Sequence, residues 1–367
     1  MREKAKNLAV VALAAAFLAG FALWGLVQPD AAQSLSERRP LAQRPALSLS
    51  ALADGSFVTD LESYMLDQFP LRDGFRRLKA LVSYGVLGQK DNNGIYLAEG
   101  YAAKLEYPLD ADSVQYAVNR FRAVYDQYLA GTDAKVYVSV IPDKSYFLAQ
   151  ANGYPAMDYD ALFDQVRREM DYASYIDLTG VLRLEDYYRT DTHWRQESLA
   201  DVADTLAAGL GVTLTDTDYT CRTASAPFYG VYYGQSALPL APDTLSWLES
   251  ETLVGCRVYD YETDGEIPVY DESKTVAADP YELFLGGPKS LLVIENPASH
   301  TGRDLVIFRD SFSSSLAPLL VSGYDTVTLV DIRYLSPALL GRFLTFDDQD
   351  VLFLYSTSVL NHSETIK

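Results

Sequence analysis

The residues able to do acid–base or nucleophilic chemistry are few in this chain. It has three histidines, His193, His300 and His362. His193 stands in YYRTDTHWRQE, two residues after Asp191 and directly before Trp194. An aspartate at that spacing reaches the imidazole from one local turn. It holds the proton on one ring nitrogen and leaves the other free to take a proton from a hydroxyl. The same spacing also suits a histidine in the first turn of a helix with Asp191 as N-cap. His300 lies in the loop NPASHTGRD and His362 in the C-terminal tail, so both compete poorly for a catalytic place. One imidazole beside one carboxylate falls short of the three or four ligands of a metal site, and neither a metal nor a cofactor is expected.

The hydroxyl to go with that imidazole comes from DLVIFRDSFSSSLAPLL, residues 304–320. LVIF reads as a strand and LAPLL as part of a helix, with Ser311 at the turn between them. In an open α/β sheet, ligands collect outside the carboxyl ends of the strands. A serine there is exposed, and the backbone N–H groups after it face the place where an oxyanion would develop. The Ser-rich run serves equally well as a plain helix N-cap.

The elements that must position these groups follow from periodicity. VNRFRAVYDQYLAG, YDALFDQVRREM and WRQESLADVADTLAAGLG carry helical stripes. KVYVSVIPDK, SYIDLTG, DLVIF, VTLVDIR and DVLFLYS are short apolar runs between them. Such strands alternating with helices predict a largely parallel α/β sheet flanked by helices. Residues 211–287, rich in Tyr, Thr, Asp and Pro, interrupt the order and read as an irregular or β-rich insertion. Before the sheet, residues 58–88 read as two amphipathic helices broken near Pro70, with Leu61, Tyr64, Met65 and Phe69 on one stripe and Phe75, Leu78 and Leu81 on the other. Lys144, Arg72 and Arg333 are weaker candidates for holding a carbohydrate or an acyl group, since such cations more often serve structural ion pairs.

Several of these stretches together resemble the DHHW family, relatives of the alginate O-acetyltransferases with an SGNH-hydrolase-like domain. The matching pieces are SERRPLAQRP, DQFPLRDGFRRLK, NGIYL, IPDK, YYRTDTHW, IFRDSF and VTLVDIRY, spread over most of the chain after residue 28. The resemblance implies an SGNH-like α/β fold and a triad of Ser311, His193 and Asp191. Thr192 replaces the first histidine of the Asp-His-His-Trp signature, and Arg309 stands where the SGNH Gly-Asp-Ser pattern has glycine. The oxyanion hole is therefore expected to be built differently. The implied activity is transfer or removal of an acetyl group on an envelope or exopolysaccharide hydroxyl, with a multi-span membrane acyltransferase supplying the acyl group. The alternative is a non-catalytic envelope protein that binds glycan or scaffolds a partner.

The N-terminus supports a place outside the cytoplasm. A basic tail, residues 1–7, precedes an uncharged apolar run from Leu8 to Val27. Roughly 20 residues at 1.5 Å each cover a hydrocarbon core of about 30 Å. The run reads as an uncleaved single-pass signal anchor with the N-terminus inside, cleaved secretion being the alternative. Residues 28–56 read as a tether, and 57–367 as the extracytoplasmic domain. A formal net charge of −20 argues against a nucleic-acid partner. The 27 tyrosines suit either sugar-stacking grooves or a β-rich core. Cys221 and Cys256 read as one disulfide, worth ~3–4 kcal/mol, or as two free thiols.

Overall fold

The computed structural model describes residues 2–216 and 218–367 of the 367-residue chain. Two compact units result, Met1–Asn93 with Tyr233–Pro239, and Gly94–Tyr232 with Leu240–Lys367.

The first unit is helical. Helix α1, Arg2–Val27, contains a stretch long and apolar enough to cross a membrane, Glu3–Val27. Helices α2, Ser56–Asp67, and α3, Arg72–Leu81, follow the amphipathic pattern on either side of Pro70. Leu71, just before α3, adopts a left-handed conformation at φ 58° as the chain turns. Asp67 receives two hydrogen bonds from the Arg39 guanidinium (2.8 and 2.6 Å), and Gln68 binds the backbone at Ala31 and Ala42.

The second unit is built on an eight-stranded sheet. Its strands are β1 Lys135–Ile141, β2 Ser174–Tyr175, β3 Arg257–Asp260, β4 Gly265–Ile267, β5 Leu291–Glu295, β6 Asp304–Arg309, β7 Thr326–Val330 and β8 Asp350–Ser356. The spatial order is β4-β3-β5-β7-β6-β8-β1-β2. From β7 to β2 every pairing is parallel, while β5, β3 and β4 add an antiparallel edge. The expected largely parallel α/β sheet is thus present. Part of the segment 211–287 joins it as β3 and β4, and another part forms a separate antiparallel hairpin, Thr220–Phe228 with Asp243–Glu249.

The period of two along each strand divides the side chains between two cores. Leu305, Ile307, Leu352 and Leu354 face a core shared with helices α6, Ala200–Leu210, and α7, Ser313–Leu320. Val306, Phe308, Val351 and Phe353 face the opposite core, shared with helices α4, Ala111–Val124, and α5, Tyr159–Glu169. Every residue of β8 is buried, as a strand covered by helices on both faces requires. Helix α4 does not run unbroken to Gly131: it passes into a wider π turn over Tyr125–Leu129. Cys221 and Cys256 are free thiols, the first exposed and the second half-buried.

Because Leu352 is fully buried in the central strand β8, Leu352→Ala combines lost burial with an unfilled cavity. The expected cost is ~2–5 kcal/mol, read as a lower denaturation midpoint. A loss below about 0.5 kcal/mol, the level of an ordinary surface substitution, would contradict this packing.

Candidate active site

Strand β6 ends at Arg309, and α7 begins at Ser313, so Ser311 occupies the sharp turn between them. Asp310 fixes the turn. Its Oδ1 accepts from the Phe312 N–H (3.0 Å) and its Oδ2 from the Ser356 N–H at the end of β8 (2.8 Å). Ser311 itself is only half-buried.

His193 is not in the first turn of a helix. A 3-10 turn, Gln196–Ser198, follows it, and α6 starts only at Ala200. Residues 187–194 instead form a tight loop closed by Tyr187 pairing antiparallel with Trp194 and by the Tyr188 N–H donating to the His193 carbonyl (3.0 Å). Trp194, fully buried, donates its indole N–H to the Phe312 carbonyl (3.0 Å) and Ser315 Oγ (2.9 Å). Gln196 reaches the Ser315 carbonyl (2.6 Å) and accepts from the Leu248 N–H (2.8 Å). These bonds lock the histidine loop onto the helix that follows Ser311.

The outcome is a continuous polar chain. His193 Nε2 lies 2.8 Å from Ser311 Oγ, and His193 Nδ1 lies 2.6 Å from Asp191 Oδ1. Asp191 is fully buried; it also accepts from the His193 N–H at Oδ1 (3.1 Å) and the Val231 N–H at Oδ2 (2.8 Å). With its Nδ1 proton directed at the carboxylate, the imidazole presents Nε2 as an acceptor to the serine hydroxyl. The ring is also clamped on its face. Tyr281 stacks on it at 3.9 Å between centroids and 8° between planes, and the Tyr281 hydroxyl is tied to Ser315 Oγ (2.8 Å).

Arg309 turns away from this chain. Its guanidinium is buried and donates to Ser314 Oγ (2.5 Å) and the Lys289 carbonyl (3.1 Å). It braces α7 from the interior rather than serving as an oxyanion donor. The backbone N–H groups after Ser311 are also engaged: Phe312 with Asp310 Oδ1, Ser313 with the Asp310 carbonyl (3.3 Å) and Ser314 with the Ser311 carbonyl (3.2 Å). The outward-facing donors expected at this helix start are spent on the turn itself.

Of the weaker candidates, Lys144 sits against the loop that leads to Asp191. It is buried, and its Nζ donates to the Tyr188 (2.9 Å) and Arg189 (3.3 Å) carbonyls, on the chain leading to Asp191. Burial pushes its pKa down to about 7, against the opposing pull of the Asp191, Asp243 and Asp143 carboxylates. Arg333 is held by Asp331 in a two-pronged pair, at 2.9 and 2.6 Å. Arg72 belongs to the other unit, where it pairs with Glu37 (2.5 Å) and Asp67 (3.4 Å). Among the described residues, no group of three or more His, Cys, Asp or Glu side chains is placed to hold a metal ion.

Three further residues support the loop without a distinct signal in the sequence. Asp243 accepts from the Arg189 and Thr190 N–H groups and the Thr190 hydroxyl (2.9, 2.8 and 2.6 Å), anchoring the loop just before Asp191. Gly230 packs so closely on Asp191 that an added Cβ would fall 2.3 Å from the Asp191 Cβ. Tyr281 clamps the imidazole. All three lie in the weakly periodic segment 211–287. The one local signal was the concentration of Tyr and Asp there, which does not say which of them folds back onto the site.

A serine at a β-strand-to-helix turn, hydrogen-bonded to a histidine that is itself bonded to an aspartate, stands over a mostly parallel sheet of SGNH-hydrolase-like α/β fold. Residues 150–330 match the sequence model of the DHHW protein family. No curated protein matches it. Among solved structures, a DHHW family protein from Eubacterium siraeum is 21% identical with a TM-score of 0.60, over 75% of this chain and 95% of that one. PatB1 from Bacillus cereus, solved with a sulfonyl adduct, is 15% identical with a TM-score of 0.56, over 72% of this chain and 95% of that one. A second PatB1 structure is 13% identical at 0.55, over 74% and 98%. At these identities the likeness is one of fold.

The buried Lys144 makes stability depend on pH with a defined sign. Its folded-state pKa, about 7, lies below the ordinary lysine value of 10.5, so between those values the unfolded chain binds the extra proton. Its contribution therefore grows more favourable to the folded state as pH rises from about 7 towards 10. Wild type is expected to gain thermal stability relative to Lys144→Met between pH 7 and pH 9, in parallel melts. Equal pH dependence of the two would contradict a lysine held this way.

Proposed function

We propose that this protein is a membrane-anchored, extracytoplasmic O-acetyltransferase of cell-envelope or exopolysaccharide hydroxyls, with Ser311 as nucleophile, His193 as general base and then acid, and Asp191 as its anionic support. The observation that carries the reading is the unbroken chain from Ser311 Oγ through both imidazole nitrogens to a buried carboxylate, at 2.8 and 2.6 Å. Those are hydrogen-bond distances for direct proton transfer.

In the first half-reaction, Ser311 Oγ attacks the acyl carbonyl carbon while its proton passes to His193 Nε2. The tetrahedral intermediate collapses, the bond to the donor's leaving group breaks, and that group takes the proton from the imidazolium. An acyl-serine remains. In the second half-reaction, a sugar hydroxyl gives its proton to Nε2 and its oxygen attacks the acyl carbon. Collapse breaks the bond to Ser311 Oγ, which recovers the proton, and the acetylated glycan departs. Water in place of the sugar gives hydrolysis by the same steps. Asp191 stays ionised throughout and stabilises the imidazolium.

The apolar helix α1 supports tethering to a membrane, and the acidic chain suits a solvated surface outside the cell. A glycan supplies the acceptor, and a multi-span membrane acyltransferase supplies the acyl group. The sulfonyl adduct of the similarly folded PatB1 suggests the reagent for a test.

A sulfonyl fluoride is expected to add one sulfonyl group to the intact protein, mapped by mass spectrometry to Ser311, and to block turnover of p-nitrophenyl acetate. Ser311→Ala should abolish both. His193→Ala should slow ester turnover by about 10³-fold or more, in line with removal of a triad member. Labelling that persists in Ser311→Ala would overturn the assigned nucleophile.

A further inference from the structure

The first unit presents an apolar face that its own fold leaves uncovered. On α3 and the π turn that continues it, Val82–Val86, the residues Leu71, Phe75, Leu78 and Val82 recur at helical spacing, with Leu81 beside them. In a water-soluble helix such a stripe would face a core. Here Leu71, Leu78 and Leu81 are 60, 56 and 50% exposed, and Val86 and Leu87 at the end of the turn are 76 and 67% exposed. On α2, Met65 and Leu66 are likewise exposed. An apolar surface of this extent marks a place where something other than water is met.

Two observations say what that is. The first is continuity. The ring of Phe21, in the second half of α1, stacks on Phe69 (5.4 Å, 3°) and meets Phe75 edge-on (5.7 Å). Gly25, one turn further, lies against Pro70. The apolar face of α3 therefore begins where the apolar surface of α1 ends, and none of the window that qualifies α1 as a span is buried by the protein. The second is charge. In a chain of net charge −20, α3 reads RDGFRRLKAL, a local excess of cations. Arg77 and Lys79 are exposed on it, while Arg72 and Arg76 pair with Glu37 in a cavity of about 540 Å³ that Leu66, Phe69 and Phe75 also line. Cations beside an apolar wall suit an amphiphile with an anionic head and hydrocarbon tails, not an apolar protein surface alone.

We infer that α3 and its π turn lie in the plane of the membrane interface, with Leu71, Phe75, Leu78, Leu81 and Val86 in the acyl boundary and the exposed Arg77 and Lys79 among anionic phospholipid headgroups. The protein then holds the bilayer at two places, the spanning helix and this interfacial one. The inference rests on reading α1 as a membrane anchor.

The test uses the full chain, with Cys221→Ser and Cys256→Ser, in vesicles of phosphatidylcholine and phosphatidylglycerol. Single cysteines at Phe17→Cys, Leu81→Cys, Val86→Cys and Asp73→Cys carry an environment-sensitive fluorophore. Phe17 reports on the span, Leu81 and Val86 on the proposed face, and Asp73 on the polar side of α3. Blue-shifted emission and loss of intensity to brominated lipid are expected at Phe17, Leu81 and Val86 but not at Asp73. Quenching at Phe17 with Leu81 and Val86 no more quenched than Asp73 would overturn the interfacial helix and leave the anchor standing. No quenching at Phe17 would remove the anchor and this inference together. Circular dichroism of each labelled variant confirms that the helices persist.

Discussion

The site depends on a buried anion. Asp191 has no exposed surface, and a carboxylate in such a place is costly unless its oxygens are matched by donors. Those donors come from three directions: the imidazole Nδ1, the backbone N–H of His193 and the backbone N–H of Val231. The charge that orients the histidine is thus itself held by the segment after Phe228. Charge-assisted bonds of this kind are roughly twice as strong as neutral ones, so the carboxylate stiffens both chains it touches. Lys144 adds a partial counter-charge nearby, without a direct bond to Asp191, by gripping the Tyr188 and Arg189 carbonyls.

That dependence explains why so much of the unit converges on a short loop. The sheet places Ser311, because Asp310, directly after β6, accepts from the Ser356 N–H at the carboxyl end of β8. It does not place His193, which comes from a loop 118 residues earlier. The loop is fastened by Trp194 and Gln196 to α7, by Thr190 to Asp243, and by Asp191 to the residues beside Gly230. Tyr281 then closes over the imidazole. Rotation of the ring would cost the stacking contact and the Nδ1 bond together, so the acceptor nitrogen stays aimed at the serine.

The divide between what was legible in the sequence and what was not follows from these contacts. Strands β1, β6, β7 and β8 were legible because burial on both faces forces near-continuous apolar runs. Asp191, His193 and Ser311 were legible because their chemistry is rare and their spacing local, or because they fall at a strand-to-helix turn. The start of α6 was not: the residues from Trp194 look helical, but Trp194 and Gln196 are drawn into bonds with α7 that a regular helix would not allow, and the helix begins at Ala200 instead. Asp243, Gly230 and Tyr281 were not legible because their roles exist only after a weakly periodic segment has folded back. Arg309 could be seen to depart from a pattern, but not to point inward at Ser314.

Thr192, the departure from the family signature, can now be weighed by what it touches. Its hydroxyl accepts from the Tyr232 hydroxyl (3.1 Å), and the Tyr232 ring lies under Lys144 Nζ at 4.9 Å from the centroid. Position 192 therefore couples to the support of Asp191, while the neighbouring residues on either side form the hydrogen-bonded chain to Ser311. A histidine at 192 would offer Tyr232 a ring nitrogen in place of an oxygen. Its loss removes a second titratable group beside a carboxylate whose neighbour Lys144 already has its pKa near neutrality. With threonine there, the charge state next to Asp191 is set by fewer coupled groups, and the imidazole that remains is the one bonded to the serine.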